Sequence, residues 1–300
     1  MVGLGRMGAN MVRRLLRGGH EVVAFDLSEE ARAEVAKDGA EAAGSLEDLV
    51  AKLSAPRVVW SMLPAGAPTA ETVLRLRDLL EEGDVVVEGG NSYFRDSIEQ
   101  AKQLSERGVR FVDAGVSGGI WGLTEGYCLM VGGEPDAVSL VEPAFVTLAP
   151  TGGYAHVGPV GAGHFVKMVH NGIEYGMMQA YAEGFELLSK APGYNFDLHE
   201  IAAIWRYGSV VRSWLLELIE RALRPESGFE HIRGVVQDSG EGRWTVKEAV
   251  DAAVPLPVIS AALYARFASR DPDSLANRLL AAQRNQFGGH PVVTDGEGAK

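Results

Sequence analysis

Up to about residue 160 of this 300-residue chain, short β-branched runs alternate with helical patterns; beyond it the β-branched runs vanish. Such alternation is the mark of a parallel sheet wrapped by crossover helices. EVVAFD (21–26), RVVWSML (57–63), DVVVE (84–88) and VRFVDAG (109–115) read as strands, with YCLMVGG (127–133) and YAHVG (154–158) as later strands of the same sheet. Stretches 28–37 and 69–81 carry apolar residues three and four apart and read as helices. After GPVGAG (158–163) helical patterns run to Phe287. The expected fold class is therefore α/β over residues 1–160, then an all-α domain over 161–286. A glycine-rich polar tail, 287–300, is expected to order only where it meets something.

MVGLGRMGAN opens the chain with Gly3, Gly5 and Gly8 in dinucleotide-fingerprint spacing, Arg6 and Met7 lying among them. Glycines there let backbone amides approach a pyrophosphate at the positive end of a helix. A tight turn with no ligand is the plain alternative. Context favours the fingerprint, because EVVAFD follows and ends in Asp26, eighteen residues after Gly8, where a carboxylate accepts from ribose hydroxyls and repels a 2′-phosphate. The α/β half is thus expected to be a Rossmann-type domain that prefers NAD, with NADP possible if a nearby cation offsets Asp26. Only Met1 and Val2 precede Gly3, so the first strand is nearly absent. Either the start is truncated or the sheet edges compensate.

With 40 acidic and 28 basic side chains, the net charge of -12 argues against a nucleic-acid footprint. Any anionic ligand needs a local cluster. The single cysteine, Cys128, permits no intrachain disulfide or multi-thiolate metal site and fits a reducing cytoplasm. The histidines show no ligand spacing, so no metal is expected. No apolar run of about 18 residues suggests a membrane span, and no signal pattern opens the chain.

In GAGHFVKMVHNGIEYG (161–176), Lys167, His170, Asn171 and Glu174 share one helical face over two turns, about 10 Å of rise. A solvated charged face is one reading. The other is a lysine and a carboxylate exchanging roles as base and acid across a bound substrate, for which the lysine must be desolvated or face another cation. Gly172, Gly176, Ala180 and Gly184 leave a second face bare enough for close approach.

GHFVKMVHNGIEYGMMQAYAEGF resembles the signature of the decarboxylating 6-phosphogluconate dehydrogenases. EGGNS (88–92), GVSGGIWGLTEGYCLMVGG (115–133), IWRYGSVVRSWLLELI (204–219), DSGEGRW (238–244), ALYARFASR (262–270) and QRNQFGGH (283–290) resemble that family in the same order. The chain is similar in length to the family's short form. The resemblance implies that Lys167 accepts the C3 hydroxyl proton while hydride leaves for the nicotinamide. The 3-keto acid then loses C1 as carbon dioxide, and Glu174 protonates C2 to give ribulose 5-phosphate.

By the same resemblance, Ser117, Gly118 and Gly119 hold the C1 carboxylate, while Asn91, His170 and Asn171 contact substrate hydroxyls and the nicotinamide side. Tyr175, Arg266 and Arg284 take the phosphate, with His290 near the sugar end. Arg284 and His290 sit in a tail segment that in the family reaches a neighbouring subunit, which implies a homo-oligomer, dimer or tetramer. Two departures from the family's long form stand out: no lysine occupies the phosphate-loop position at DSGEGRW, where Arg243 is a candidate substitute, and Asp26 stands where the long NADP enzymes carry a small polar and basic set. The rivals are a β-hydroxyacid dehydrogenase that releases no carbon dioxide and a catalytically silent nucleotide-sensing protein of the same fold.

Overall fold

The computed structural model of the chain describes residues 1–294. The first elements are α1 (Arg6–Arg17), β1 (Val23–Ala24), α2 (Glu29–Lys37), β2 (Glu41–Ala42), α3 (Leu46–Ala51), β3 (Val58–Ser61), α4 (Ala67–Leu79) and β4 (Val85–Glu88). There follow α5 (Phe94–Ser105), β5 (Arg110–Ser117), α6 (Gly122–Glu125), β6 (Cys128–Gly133), α7 (Pro135–Leu148) and β7 (Tyr154–Gly158). The rest is helical: α8 (Ala162–Ser189), α9 (Leu198–Trp205), α10 (Trp214–Ala222), α11 (Glu241–Asp251), α12 (Pro257–Arg270) and α13 (Leu275–Gly288). Ser28, Ser45, Asp197, Ser213 and Ser274 start α2, α3, α9, α10 and α13, each side-chain oxygen accepting the N–H three residues on. Packing divides the chain into two units, Met1–Gly172 and the residues from Ile173 onward, and α8 runs through the division.

In the first unit β3 to β7 form one sheet in sequence order, and β1 and β2 a separate parallel pair. Val2 joins the two, bridging Phe25 on one side and Ser61 on the other. Its N–H donates to the Trp60 carbonyl at 2.7 Å, and its own carbonyl accepts from Met62 N–H at 2.8 Å. The lean first strand is thus one bridging residue, and the resulting order, β2, β1, Val2, β3, β4, β5, is that of a Rossmann sheet. The expected strand over 21–26 shrinks to two residues because its partners are equally short, Glu41–Ala42 and Val2.

The expected parallel sheet has one exception: β6 runs antiparallel to β5. Residues 118–127 between them hold a 3₁₀ turn (Gly119–Trp121) and the four-residue α6, too little chain for a crossover. Both sheet faces are covered: Val85, Val87 and Val112 pack with Met11, Leu15 and Phe145, whereas Val86 and Phe111 pack with Leu49, Leu76 and Leu104.

In the second unit, one small core gathers Tyr175, Ala262 and Leu263, and another Phe185, Ala202 and Leu216. The expectation of unbroken helix is not met over 223–240, where proline and glycines leave one 3₁₀ turn, Phe229–His231. The small-residue face of α8 meets another helix at Gly176, where an added Cβ would lie 3.2 Å from Val258 Cγ1, while Gly184 has nothing within 4 Å. Of the expected tail, residues 295–300 lie outside the described residues. Among the described residues no helix is long and apolar enough to cross a membrane.

Candidate active site

The glycine turn at the start of α1 is built for close backbone approach. A Cβ on Gly8 would lie 2.0 Å from the Gly3 carbonyl oxygen, and Gly3 itself has φ +89°. Gly5 has nothing within 4 Å, and as the N-cap of α1 it makes no side-chain cap. Free amides at an open helix start suit a pyrophosphate. Asp26 is pinned beside this turn: Oδ2 accepts from Leu4 N–H at 2.7 Å and Oδ1 from Ser28 N–H at 2.8 Å. Each oxygen keeps a second lone pair for a ribose hydroxyl. These residues fit a dinucleotide. The nearby cation is Arg32, whose Nη1 donates to the Asp26 carbonyl at 2.6 Å. Arg6 is exposed at the first position of α1, and Met7, half-buried, packs against the core.

The first turns of α8 lie unusually close to the sheet. A Cβ on Gly163 would sit 2.5 Å from the carbonyl oxygens of both Asp113 and Met130, on β5 and β6. Asp113 reaches across to receive the helix, Oδ1 accepting from Gly161 N–H at 2.7 Å and Oδ2 from His164 N–H at 2.8 Å. One turn on, the Lys167 stem crosses β5 at Gly115, where an added Cβ would lie 2.5 Å from Lys167 Cβ. Lys167 is 6% exposed.

Ser117 ends β5 on the same strand face as Gly115. Its Oγ lies 3.5 Å from His170 Nε2, and His170 Nδ1 lies 2.9 Å from Asn171 Oδ1. An amide oxygen only accepts, so Nδ1 is the donor in the contact with Asn171. The structure thus brings together Lys167, Ser117, His170 and Asn171. Gly118 and Gly119 continue past Ser117 with φ of +134° and +54°, and Asn91 is exposed just beyond the end of β4.

In the second unit, Glu174 and Tyr175 follow on α8, Glu174 half-buried. The Arg266 guanidinium stacks 3.5 Å from the Tyr175 ring centroid and donates to the Gln237 carbonyl at 3.0 Å, while Ser239 N–H donates to Tyr175 Oη at 3.3 Å. Arg243, the candidate substitute for a loop lysine, is held in a fork by Asp238, with Nε–Oδ1 2.7 Å and Nη2–Oδ2 3.0 Å. Arg243, then Arg270, hold the Asp238 carboxyl down to about 2. Arg284 lies exposed on α13 and His290 exposed just after it, apart from the Tyr175–Arg266 stack in the chain.

Sequence reasoning missed Glu88, Asp113 and His164. All three fall inside the quoted motifs, but their burial, at most 1% exposed, is what sets them apart.

Residues 1–158 match the NAD-binding domain of 6-phosphogluconate dehydrogenase, and residues 163–278 match its C-terminal domain. The chain belongs to the 6-phosphogluconate dehydrogenase family. It is accordingly an NAD(P)-dependent oxidoreductase, with a Rossmann-type domain followed by a helical one. A relative from Haloferax volcanii, an NAD(+)-dependent, decarboxylating 6-phosphogluconate dehydrogenase, is 47% identical over 98% of this chain and 97% of its own. The Plasmodium falciparum 6-phosphogluconate dehydrogenase, solved with its cofactor NADP+ and with its substrate 6-phosphogluconate, superposes with a TM-score of 0.84 at 27% identity. It covers 99% of this chain, which spans 66% of the parasite enzyme. A 3-hydroxyisobutyrate dehydrogenase from Salmonella typhimurium shares the fold, with a TM-score of 0.73 at 23% identity over 88% of this chain and 90% of its own.

Proposed function

We propose that this chain oxidises 6-phosphogluconate at C3 and releases C1 as carbon dioxide, leaving ribulose 5-phosphate. The observation that carries the reading is the buried Lys167 drawn against Gly115 beside a hydrogen-bonded Ser117–His170–Asn171 set. Bound at the glycine turn by Gly3, Gly5, Arg6, Met7, Gly8 and Asp26, the dinucleotide supplies the hydride acceptor. Lys167 takes the proton of the C3 hydroxyl, and a C3 ketone β to the carboxylate then serves as electron sink for loss of C1. Glu174, two helical turns further along α8, gives a proton to C2 of the enediol. Ser117 with the backbone of Gly118 and Gly119 orients the carboxylate, and Asn91, His170 and Asn171 orient the hydroxyls.

Tyr175, Arg266 and Arg284 hold the phosphate in this reading, with His290 beside the sugar. An arginine fork matches phosphate geometry. The chain acts as a homo-oligomer in which the segment bearing Arg284 and His290 reaches a neighbouring subunit. Its support is the uncovered apolar side of α13, where Leu275, Leu279 and Leu280 are 65%, 54% and 59% exposed. We take residues 1–160, 161–286 and 287–300 as the cofactor, substrate and tail segments.

The test is stoichiometry: with 6-phosphogluconate and NAD, carbon dioxide and NADH should appear in equal amounts. NADH without carbon dioxide would instead identify a simple β-hydroxyacid dehydrogenase. The pinned Asp26 carboxylate supports NAD over NADP, since a 2′-phosphate there meets a like charge. Asp26→Ser should therefore narrow the ratio of kcat/KM for NAD over NADP by roughly tenfold or more, and a wild type that already prefers NADP would refute the assignment.

A further inference from the structure

One face of the sheet is apolar at Val59, Val86 and Phe111 and turns polar two residues further on, where Ser61, Glu88 and Asp113 stand in register on β3, β4 and β5. All three are fully buried. Two carboxylates on adjacent strands, about 4.8 Å apart at the backbone, need compensation. Asp113 receives it from the two N–H groups at the start of α8. Glu88 Oε1 accepts from Gly90 N–H at 2.7 Å, and Oε2 faces Nδ1 of His164 on α8 at 3.6 Å. The same Nδ1 lies 2.7 Å from Ser97 Oγ on α5.

Serine, histidine and acid are the residue types of a nucleophilic triad, but here serine and acid meet the same nitrogen and none of the three reaches solvent. Nothing can be attacked from such a place. Nor is stability a sufficient reason for it, because apolar groups of the same shape can replace both partners of a buried polar pair at little cost. What the pair does is join two segments: Glu88 holds Gly90 in the loop that carries Asn91, and His164 lies one turn before Lys167.

We propose that Glu88 and His164 are a positioning pair that locks the Asn91 loop to the first turns of α8 and so sets where Lys167 meets the substrate. The proposal rests on the reading of Lys167 as the base.

The experiment uses the full chain as Glu88→Gln, His164→Gln, the double variant and Ser97→Ala, assayed with 6-phosphogluconate and NAD. NADH affinity is read by fluorescence titration and stability by thermal melting. Each glutamine variant should lose about tenfold in kcat, since small misplacements at a reacting centre are costly, with KM and NADH affinity within about twofold of wild type. The double variant should lose no more than the worse single, as for two groups acting as one. Ser97→Ala, a milder change, should cost about threefold in kcat on the same scale, and it decides the matter if the glutamine variants do not fold. Unchanged kcat, additive losses, or a raised KM together with weaker NADH affinity and a lower melting temperature would overturn the proposal. A wild type inert toward 6-phosphogluconate would refute the base reading instead, whatever the variants do.

Discussion

Lys167→Met is expected to cut turnover by roughly 10²–10⁴-fold, the range a positioned general base supplies, while NADH binding stays within about threefold of wild type. Methionine is the informative replacement because it keeps an unbranched apolar stem of similar reach. The stem is what packs against Gly115, where neighbouring carbons already crowd the strand, so alanine would add a cavity to the loss of the amine. Chemistry of this kind needs a lysine withdrawn from water, and at 6% exposure Lys167 is withdrawn. The glycine turn depends on other residues, Gly3, Gly8 and Met62 among them, and should hold its ligand unaided. Steady-state kinetics paired with fluorescence titration separates the two effects. Wild-type turnover in the variant would remove Lys167 from the base role, and equal losses of rate and binding would mean that the substitution damaged the fold.

What could be read without coordinates follows from how strongly each feature marks its own residues. DVVVE announces a buried strand because three valines suit a strand covered on both faces. Glu41–Ala42 announces nothing: two residues without β-branching form a strand only because Val23–Ala24 offers a partner. The direction of β6 was equally hidden, since YCLMVGG reads the same either way and the short link before it decides. At the site, Lys167, His170 and Asn171 stood out by helical spacing, a property of one segment. Asp113 matters through its bonds to Gly161 and His164, and Glu88 through its approach to His164, contacts made across 48 or more residues, and a buried carboxylate looks in sequence like any exposed one.

Gly163→Ala sets two rules against each other, and the structure says which prevails. Inside an isolated helix the change should stabilise by about 1 kcal/mol. Here the new Cβ would come within 2.5 Å of two carbonyl oxygens and 2.8 Å of Gly132 N, all backbone atoms of the sheet. Backbone in a paired strand cannot swing aside as a side chain can, so α8 has to lift. We expect a net loss of about 1–3 kcal/mol in stability, the usual cost of overpacking, read as a lower melting temperature with near-normal far-ultraviolet dichroism. Lifting α8 also draws Lys167 away from Gly115 and weakens the Asp113 bonds to Gly161 and His164. A displacement near 1 Å at the reacting centre costs on the order of 10²-fold, so turnover should fall far more than the modest stability loss implies. An unchanged melting temperature with an unchanged rate would mean that the glycine contact does not set the height of the helix, and the placement of Lys167 would need another cause.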